Sequence, residues 1–243
     1  ETVQIARDLG AAVVSFPWRD DFSAAKNFAI EQAKGEWIIF LDADEYFAPK
    51  AQAELRAIVA RFHGNRTIDG IACRLLNIDQ DKNNQFIDET CQVRLFRNKK
   101  TLRYYGQIHE GLKDTAVGKH TFELVQTLLI YHTGYSSSMI QQKLQRNLLL
   151  LQQKQGESKE NLLYFVDCYF GLGEYEKAEE YARRTIASGI RYIGNETKPY
   201  DRFIRVMIQL QRPVETICQT ADEAMKVYPQ AAEFPLLKGI VLW

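Results

Sequence analysis

The sequence predicts an α/β domain built on a mixed sheet, followed by an all-α region of helical repeats. Three observations carry this. The first part of the chain alternates helical and strand-like apolar periods. Gly70 to His132 is β-rich and broken by polar turns. From Ser136 onward only helical periodicity occurs. The expected division is residues 1–135 and 136–243.

Thr2 to Leu9 reads as a helix stopped by Gly10, and Ala11 to Phe16 as a short buried strand. Ser23 is the expected N-cap of a helix through Lys34, with Ala25, Phe28, Ala29 and Ala33 inward and Gly35 as its stop. Trp37 to Leu41 is an uninterrupted apolar run, expected to be a strand buried on both faces. Pro49 opens a helix to about Phe62, with Leu55, Ile58, Val59 and Phe62 at helical spacing. This α-β-α-β-α order implies a parallel sheet with crossover helices. Gly70 to Ile78, Cys91 to Phe96 and Phe122 to His132 then read as consecutive strands extending it in antiparallel fashion, with Asp79 to Asp88 as a polar loop.

Met139 to Gln155 is expected to be one long helix with Leu144, Leu148 and Leu151 on one side. Leu162, Phe165, Tyr169, Gly173, Tyr175 and Ala178 have the spacing of a tetratricopeptide repeat. In that pattern large residues fill a first helix, a glycine turns the chain, and a small residue admits the second helix closely. A weaker copy ends at Ala221, Ala224 and Pro229. A third begins at Ala232, with Gly239 expected at a close helix contact.

Composition narrows the function. The chain has 243 residues, 31 Lys plus Arg against 31 Asp plus Glu, and 46% hydrophobic residues. A balanced charge argues against electrostatic binding to nucleic acid or an anionic membrane. No apolar run is long enough to span a bilayer. Cys73, Cys91, Cys168 and Cys218 are isolated, which fits reduced thiols in a cytoplasmic protein.

Asp42-Ala43-Asp44-Glu45 follows the apolar run at Trp37 to Leu41. In an extended chain residues two apart point to one side, so Asp42 and Asp44 are expected to aim two carboxylates at one point. Ligands of open α/β sheets bind beyond the carboxyl ends of the strands, and clustered carboxylates there favour a cation between them. Mg²⁺ or Mn²⁺ suits oxygen ligands and a substrate phosphate. A Walker-type phosphate site is excluded because no GxxxxGK[ST] loop is present.

Phe16 to Phe47, "FPWRDDFSAAKNFAIEQAKGEWIIFLDADEYF", resembles the family 2 glycosyltransferases of the GT-A fold. The matching pieces are Trp18 to Phe22, the Ser-x-Ala-Lys-Asn block at Ser23 to Asn27, and the strand ending in Asp-Ala-Asp-Glu. Val93 to Leu112 is similar to the region that ends in His-Glu, and Tyr131 to Tyr135 to the junction with tetratricopeptide repeats. Family members usually carry Arg where Lys26 stands, and lysine lacks the planar two-point contact. The family also begins with an Asn-Glu strand and a Gly-Ser-x-Asp block that this sequence lacks. The chain is therefore expected to be a fragment of a longer protein, or a form missing half of its nucleotide site.

The resemblance implies a metal-dependent, inverting glycosyltransferase taking a nucleotide-sugar, in first place a UDP-sugar, to a protein or glycan acceptor. Asp44 is the expected metal ligand, and Asp42 faces the ribose or the metal. Glu45 touches the donor sugar. Lys26, with one of Arg94 and Arg97, lies near the diphosphate, and Asp21 lies near the nucleotide. Glu110 is the expected general base, with Tyr105 beside it to stack on a sugar ring. His109 or His132 completes the metal shell, although for His132 a purely structural role is the stronger expectation. The helical repeats would hold the acceptor or a second protomer. The rival expectation is a non-catalytic interaction scaffold built on those repeats.

Overall fold

The computed structural model describes residues 2–49, 51–108, 110–116, 121–153, 158–192 and 195–243. The chain divides into units of residues 1–140 and 141–243.

In the first unit the elements run α1 (Thr2–Asp8), α2 (Phe22–Glu31), β1 (Trp37–Ile39), β2 (Glu45–Phe47), α3 (Ala51–His63), β3 (Gly70–Asp79), β4 (Gln85–Arg97), β5 (Leu102–Tyr105), β6 (Gly111–Asp114) and β7 (Phe122–His132). Five strands form one sheet in the order β1-β4-β3-β7-β2, and β5 and β6 form a separate hairpin. Its β3–β7 pair is parallel, and β1–β4, β3–β4 and β2–β7 are antiparallel.

The sheet is covered on both faces. Leu95 joins Ile71, Cys73, Leu75, Leu128 and Ile130 beneath the apolar stripe Ala51, Ile58 and Phe62 of α3. Its neighbour Phe96 points into a second cluster with Ile30 of α2, Ile38, Leu102, Tyr104 and Leu112. Successive residues of a strand serve opposite faces, so β4 supplies both layers.

Several expectations are corrected. Ala11 to Phe16 forms no strand and is mostly exposed, because a buried strand needs ladder partners and it has none among the described residues. The crossover parallel sheet expected from the first five elements is not what forms. β1 sits at the sheet edge, antiparallel to β4, and Ile39 is exposed. The polar stretch at Asp79 to Asp88 is shorter as a loop, since β4 already starts at Gln85. Asn83 and Asn84, both left-handed at φ 54° and 58°, make the turn between β3 and β4.

Helix α2 is capped by Asp21, whose carboxylate accepts from the Ala24 N–H at 2.9 Å, so Ser23 is not the cap. The helix buries Ser23, Lys26 and Ile30 rather than the alanine stripe. Two of those three are polar, and the next subsection shows what they face.

The second unit is helical. It comprises most of α4 (Ile140–Gln153), then α5 (Leu162–Gly171), α6 (Tyr175–Ala187), α7 (Lys198–Gln209), α8 (Val214–Val227) and α9 (Glu233–Leu242). Leu144, Leu148 and Leu151 of α4 are buried as expected. Phe165 stacks on Tyr181 with ring centroids 4.7 Å apart, and Ala178 and Ala182 are fully buried where α6 lies against α5. Gly173 turns the chain between them at φ +77°, a conformation that costs other residues strain. A side chain at Gly171 would collide with Leu144. Gly239 departs from expectation, having open space around it.

Candidate active site

The acidic segment lies where β1 ends. Its chain does not stay extended: the Glu45 N–H donates to the Asp42 carbonyl at 3.0 Å, closing a turn over Asp42–Glu45. The alternation rule therefore does not apply, and Asp42 and Asp44 engage different partners. This corrects the expectation that both carboxylates aim at one point.

Asp42 is held by two cations. Lys26 Nζ lies 2.9 Å from its Oδ1, and Arg94 Nη2 donates to its Oδ2 at 3.1 Å. Lys26 also pairs with Glu110 at 2.7 Å. The ammonium packs over the Phe40 and Tyr104 rings, each centroid 5.1 Å away. The inward polar stripe of α2 thus delivers a lysine to the acids. Burial alone would lower the Lys26 pKa, but Asp42 and Glu110 outweigh it and hold the ammonium above the ordinary lysine value.

Arg94 sits at a slip in the β3–β4 register, where Ala72 faces Val93 and Ile71 faces Leu95. Such a bulge re-aims a side chain. Its guanidinium forks onto Glu45, with Nε to Oε2 at 2.8 Å and Nη2 to Oε1. Glu45, whose side chain is 2% exposed, accepts in addition from the Asp42 N–H at 3.2 Å. Glu45 therefore fixes the turn and the arginine. Burial would lower Arg94, yet the Glu45 bonds and the Asp42 charge keep it above its usual value. Arg97, equally buried, donates instead to the carbonyls of Phe62, His63 and Asn65 at the end of α3. Only one of the two arginines joins the acids.

Glu110 is positioned by the loop between β5 and β6. Gly106, at φ +102°, opens the loop, the buried Ile108 anchors it, and the Gln107 carbonyl accepts from the Phe22 N–H at 2.9 Å. Asn27, the last residue of the Ser-x-Ala-Lys-Asn block, clamps both backbone groups of Tyr104 at 2.9 Å. Tyr104 is buried, whereas Tyr105 is 42% exposed. Asp21 caps α2 and also accepts from the Ser23 hydroxyl at 2.7 Å. His109 lies outside the described residues.

Asp44 faces the other way. Its side chain is 38% exposed, and its Oδ2 lies 3.2 Å from His132 Nε2. The Thr133 N–H and hydroxyl hold the Asp44 carbonyl at 2.9 and 3.1 Å. His132, 7% exposed, meets Asn77 Oδ1 through Nδ1 at 2.5 Å. The amide oxygen of Asn77 can only accept, so Nδ1 is the donor of that contact, and Nε2 is turned to Asp44, whose carboxylate is also an acceptor. Sequence reasoning singled out His132 only to favour a structural role, and passed over Asn77, which has no local signal.

Around the turn four carboxylates, Asp42, Asp44, Glu45 and Glu110, meet two permanent cations, Lys26 and Arg94. That surplus favours a bound divalent cation. The half-open Asp44 carboxylate with the imidazole beside it is a donor set suited to Mg²⁺ or Mn²⁺. Among the described residues no three His, Cys, Asp or Glu side chains gather as a ligand cluster. One or two protein ligands suffice for a cation that shares its shell with substrate phosphates.

Over part of its length the chain is similar to known glycosyltransferases. Residues 1–110 match the glycosyl transferase family 2 profile. A TPR repeat-containing protein of Synechococcus elongatus is 32% identical over 58% of this chain and 35% of its own length. The SPbeta prophage-derived glycosyltransferase SunS of Bacillus subtilis is 30% identical over 70% of this chain and 40% of its own. An uncharacterized glycosyltransferase of Rickettsia typhi is 27% identical over 58% of this chain and 49% of its own. The chain thus spans half or less of the length of these relatives. Residues 1–110 are thus similar to glycosyl transferase family 2, and part of the chain to a protein named for its TPR repeats.

Proposed function

We propose that this chain carries the catalytic part of a metal-dependent glycosyltransferase that moves a sugar, with inversion, from a UDP-sugar to a protein or glycan acceptor. The observation that supports it most is the acid-rich turn after β1, with Glu110 and Asp42 sharing Lys26. Asp44 and His132 are the protein ligands of Mn²⁺ or Mg²⁺, which supplies Lewis-acid neutralisation of the departing diphosphate. Asp42 receives the ribose edge of the donor, and Lys26 and Arg94 add positive charge near the diphosphate. Glu45 acts on the donor by holding the turn and Arg94. Asp21 sets the start of α2 near the nucleotide, and the exposed ring of Tyr105 receives a sugar face.

In the reaction an acceptor oxygen forms a bond to the anomeric carbon while the bond from that carbon to the diphosphate breaks. The leaving electron pair departs with the nucleoside diphosphate. Glu110 takes the acceptor proton, and its ion pair with Lys26 at 2.7 Å orients the carboxylate for that task. The helical repeats hold the acceptor or a second protomer. The four cysteines, with Cys73 and Cys168 buried and all of them free, suit a reducing cytoplasm. No helix of the described residues is long and apolar enough to cross a membrane.

Thermal-shift and calorimetric titrations of the full-length protein with UDP-sugars and Mn²⁺ test this reading. Stabilisation by at least one donor is expected, and Asp44→Ala should remove it without lowering the unfolding temperature of the free protein. No response to any nucleotide-sugar would overturn the enzyme reading. A non-catalytic scaffold, suggested by the name of the Synechococcus relative, would leave every binding property of Asp44→Ala unchanged.

A further inference from the structure

Behind the Asp44–His132 pair lies a row of polar side chains set by sheet register. Asn77 on β3 stands opposite Asp88 on β4 and opposite His132 on β7. Residues directly opposite share a face, so the three side chains are neighbours by construction. Asn77 is 3% exposed. Its amide nitrogen donates to Asp88 Oδ1, and its carbonyl oxygen receives the His132 ring at 2.5 Å. The register slips immediately after this point, between Asn77 and Ile78. The two amide bonds fix each other's sense: the carboxylate of Asp88 can only accept, so it takes the NH₂ end of Asn77 and leaves the oxygen for the imidazole.

We propose that Asn77 is a positioning residue that accepts the Nδ1–H of His132 and so holds the ring with Nε2 toward Asp44, where it would ligate a divalent cation. The inference rests on the reading of Asp44 and His132 as cation ligands. A buried amide at van der Waals density would serve packing equally well with a leucine in its place, but leucine offers the ring no acceptor. The group that accepts from the far nitrogen of a ligating histidine sets the ring's orientation, and its loss costs about 10–100-fold in metal affinity.

Two readouts on the full chain test this. Long-range ¹⁵N–¹H NMR of the His132 ring, without metal, should report a proton on Nδ1 in the wild type and loss of that preference in Asn77→Leu. Mn²⁺ titration followed by electron paramagnetic resonance should show about 10–100-fold weaker binding in Asn77→Leu. Asn77→Asp made together with Asp88→Asn, which keeps an acceptor for Nδ1–H and a donor–acceptor contact between the strands, should bind more tightly than Asn77→Leu. Circular dichroism confirms folding of each variant. If Asn77→Leu unfolds, the wild-type ring still decides. A wild-type ring without a proton on Nδ1 overturns the proposal, as does a loss of affinity in the Asn77→Asp, Asp88→Asn pair equal to that in Asn77→Leu. A wild type with a proton on Nδ1 that binds no Mn²⁺ overturns the cation reading instead.

Discussion

Among the carboxylates held between two cations, Asp42 in the first unit and Glu179 in the helical unit differ in what surrounds them. In the first unit Asp42 lies between Lys26 and Arg94, within reach of Glu45 and Glu110. In the helical unit Glu179 of α6 lies between Arg183, at 2.8 Å, and Arg212 at the turn after α7, at 2.6 Å. Around Glu179 both arginines bond one carboxylate and are 58% and 42% exposed, and the pairing ties one repeat to the next. Around Asp42 the acids outnumber the cations. The local motif is the same, and burial separates the two, since Lys26 and Arg94 are 10% and 9% exposed where Arg183 and Arg212 stand in solvent.

The largest effect expected is catalytic. Glu110→Gln should lower transfer, or slow donor hydrolysis, by about 10²–10⁴-fold with little change in donor affinity, measured as kcat against KM. A fall in affinity alone would make Glu110 a donor contact. Next comes Arg94→Leu, which leaves Glu45 buried without its partner. Chemical denaturation should show a loss of about 3–5 kcal/mol.

Glu179→Ala should cost less, about 1–2 kcal/mol, because both arginines are half-exposed and screened. The two clusters should also respond to opposite ends of the pH scale. Burial alone would raise the Glu179 carboxyl, but the bonds from Arg183 and Arg212 outweigh it and hold it below the usual glutamate range. Its contribution is complete at neutral pH and fades as the pH falls through the folded value. Lys26 has a raised pKa, so its contribution is complete at neutral pH and fades only as the pH rises through a value above that of free lysine. Denaturation across pH should lose its acid-side slope in Glu179→Ala and its alkaline-side slope in Lys26→Met. Equal slopes in variant and wild type would remove the distinction.

The smallest effect is a rate. Burial pushes the Cys73 thiol up to about 11 and Cys168 up to about 12, whereas Cys91 is exposed on β4. A thiol reagent at neutral pH should label Cys91 first and leave Cys73 and Cys168 unmodified until unfolding. Early labelling of Cys73 would mean that the sheet beneath the site opens readily.

The helical unit was the easier part to read. Phe165, Tyr169, Gly173 and Ala178 obey one period because each contacts only its neighbouring helix, so local spacing carries the packing. The first unit resists that logic where long-range partners decide. Ala11 to Phe16 has the composition of a strand but no ladder to join. The α2 stripe was assigned by its alanines, yet Lys26 turns inward because Asp42 and Glu110, 16 and 84 residues away, supply its charge partners. Asp42 and Asp44 looked aligned because nothing in the letters Asp-Ala-Asp-Glu announces the turn that parts them. Glu110 and Lys26 were legible as site residues from the family resemblance. Asn77 was not, since its part depends on register across three strands.

One measurement bears most directly on the claim that the surplus acids after β1 hold a divalent ion. Mn²⁺ titrated into the full chain, with and without UDP, should bind at one site, more tightly with the nucleotide, and Asp44→Ala should abolish that binding while Glu179→Ala leaves it intact. Binding that survives unchanged in Asp44→Ala, or a wild type that takes up no Mn²⁺ even with UDP, would contradict it.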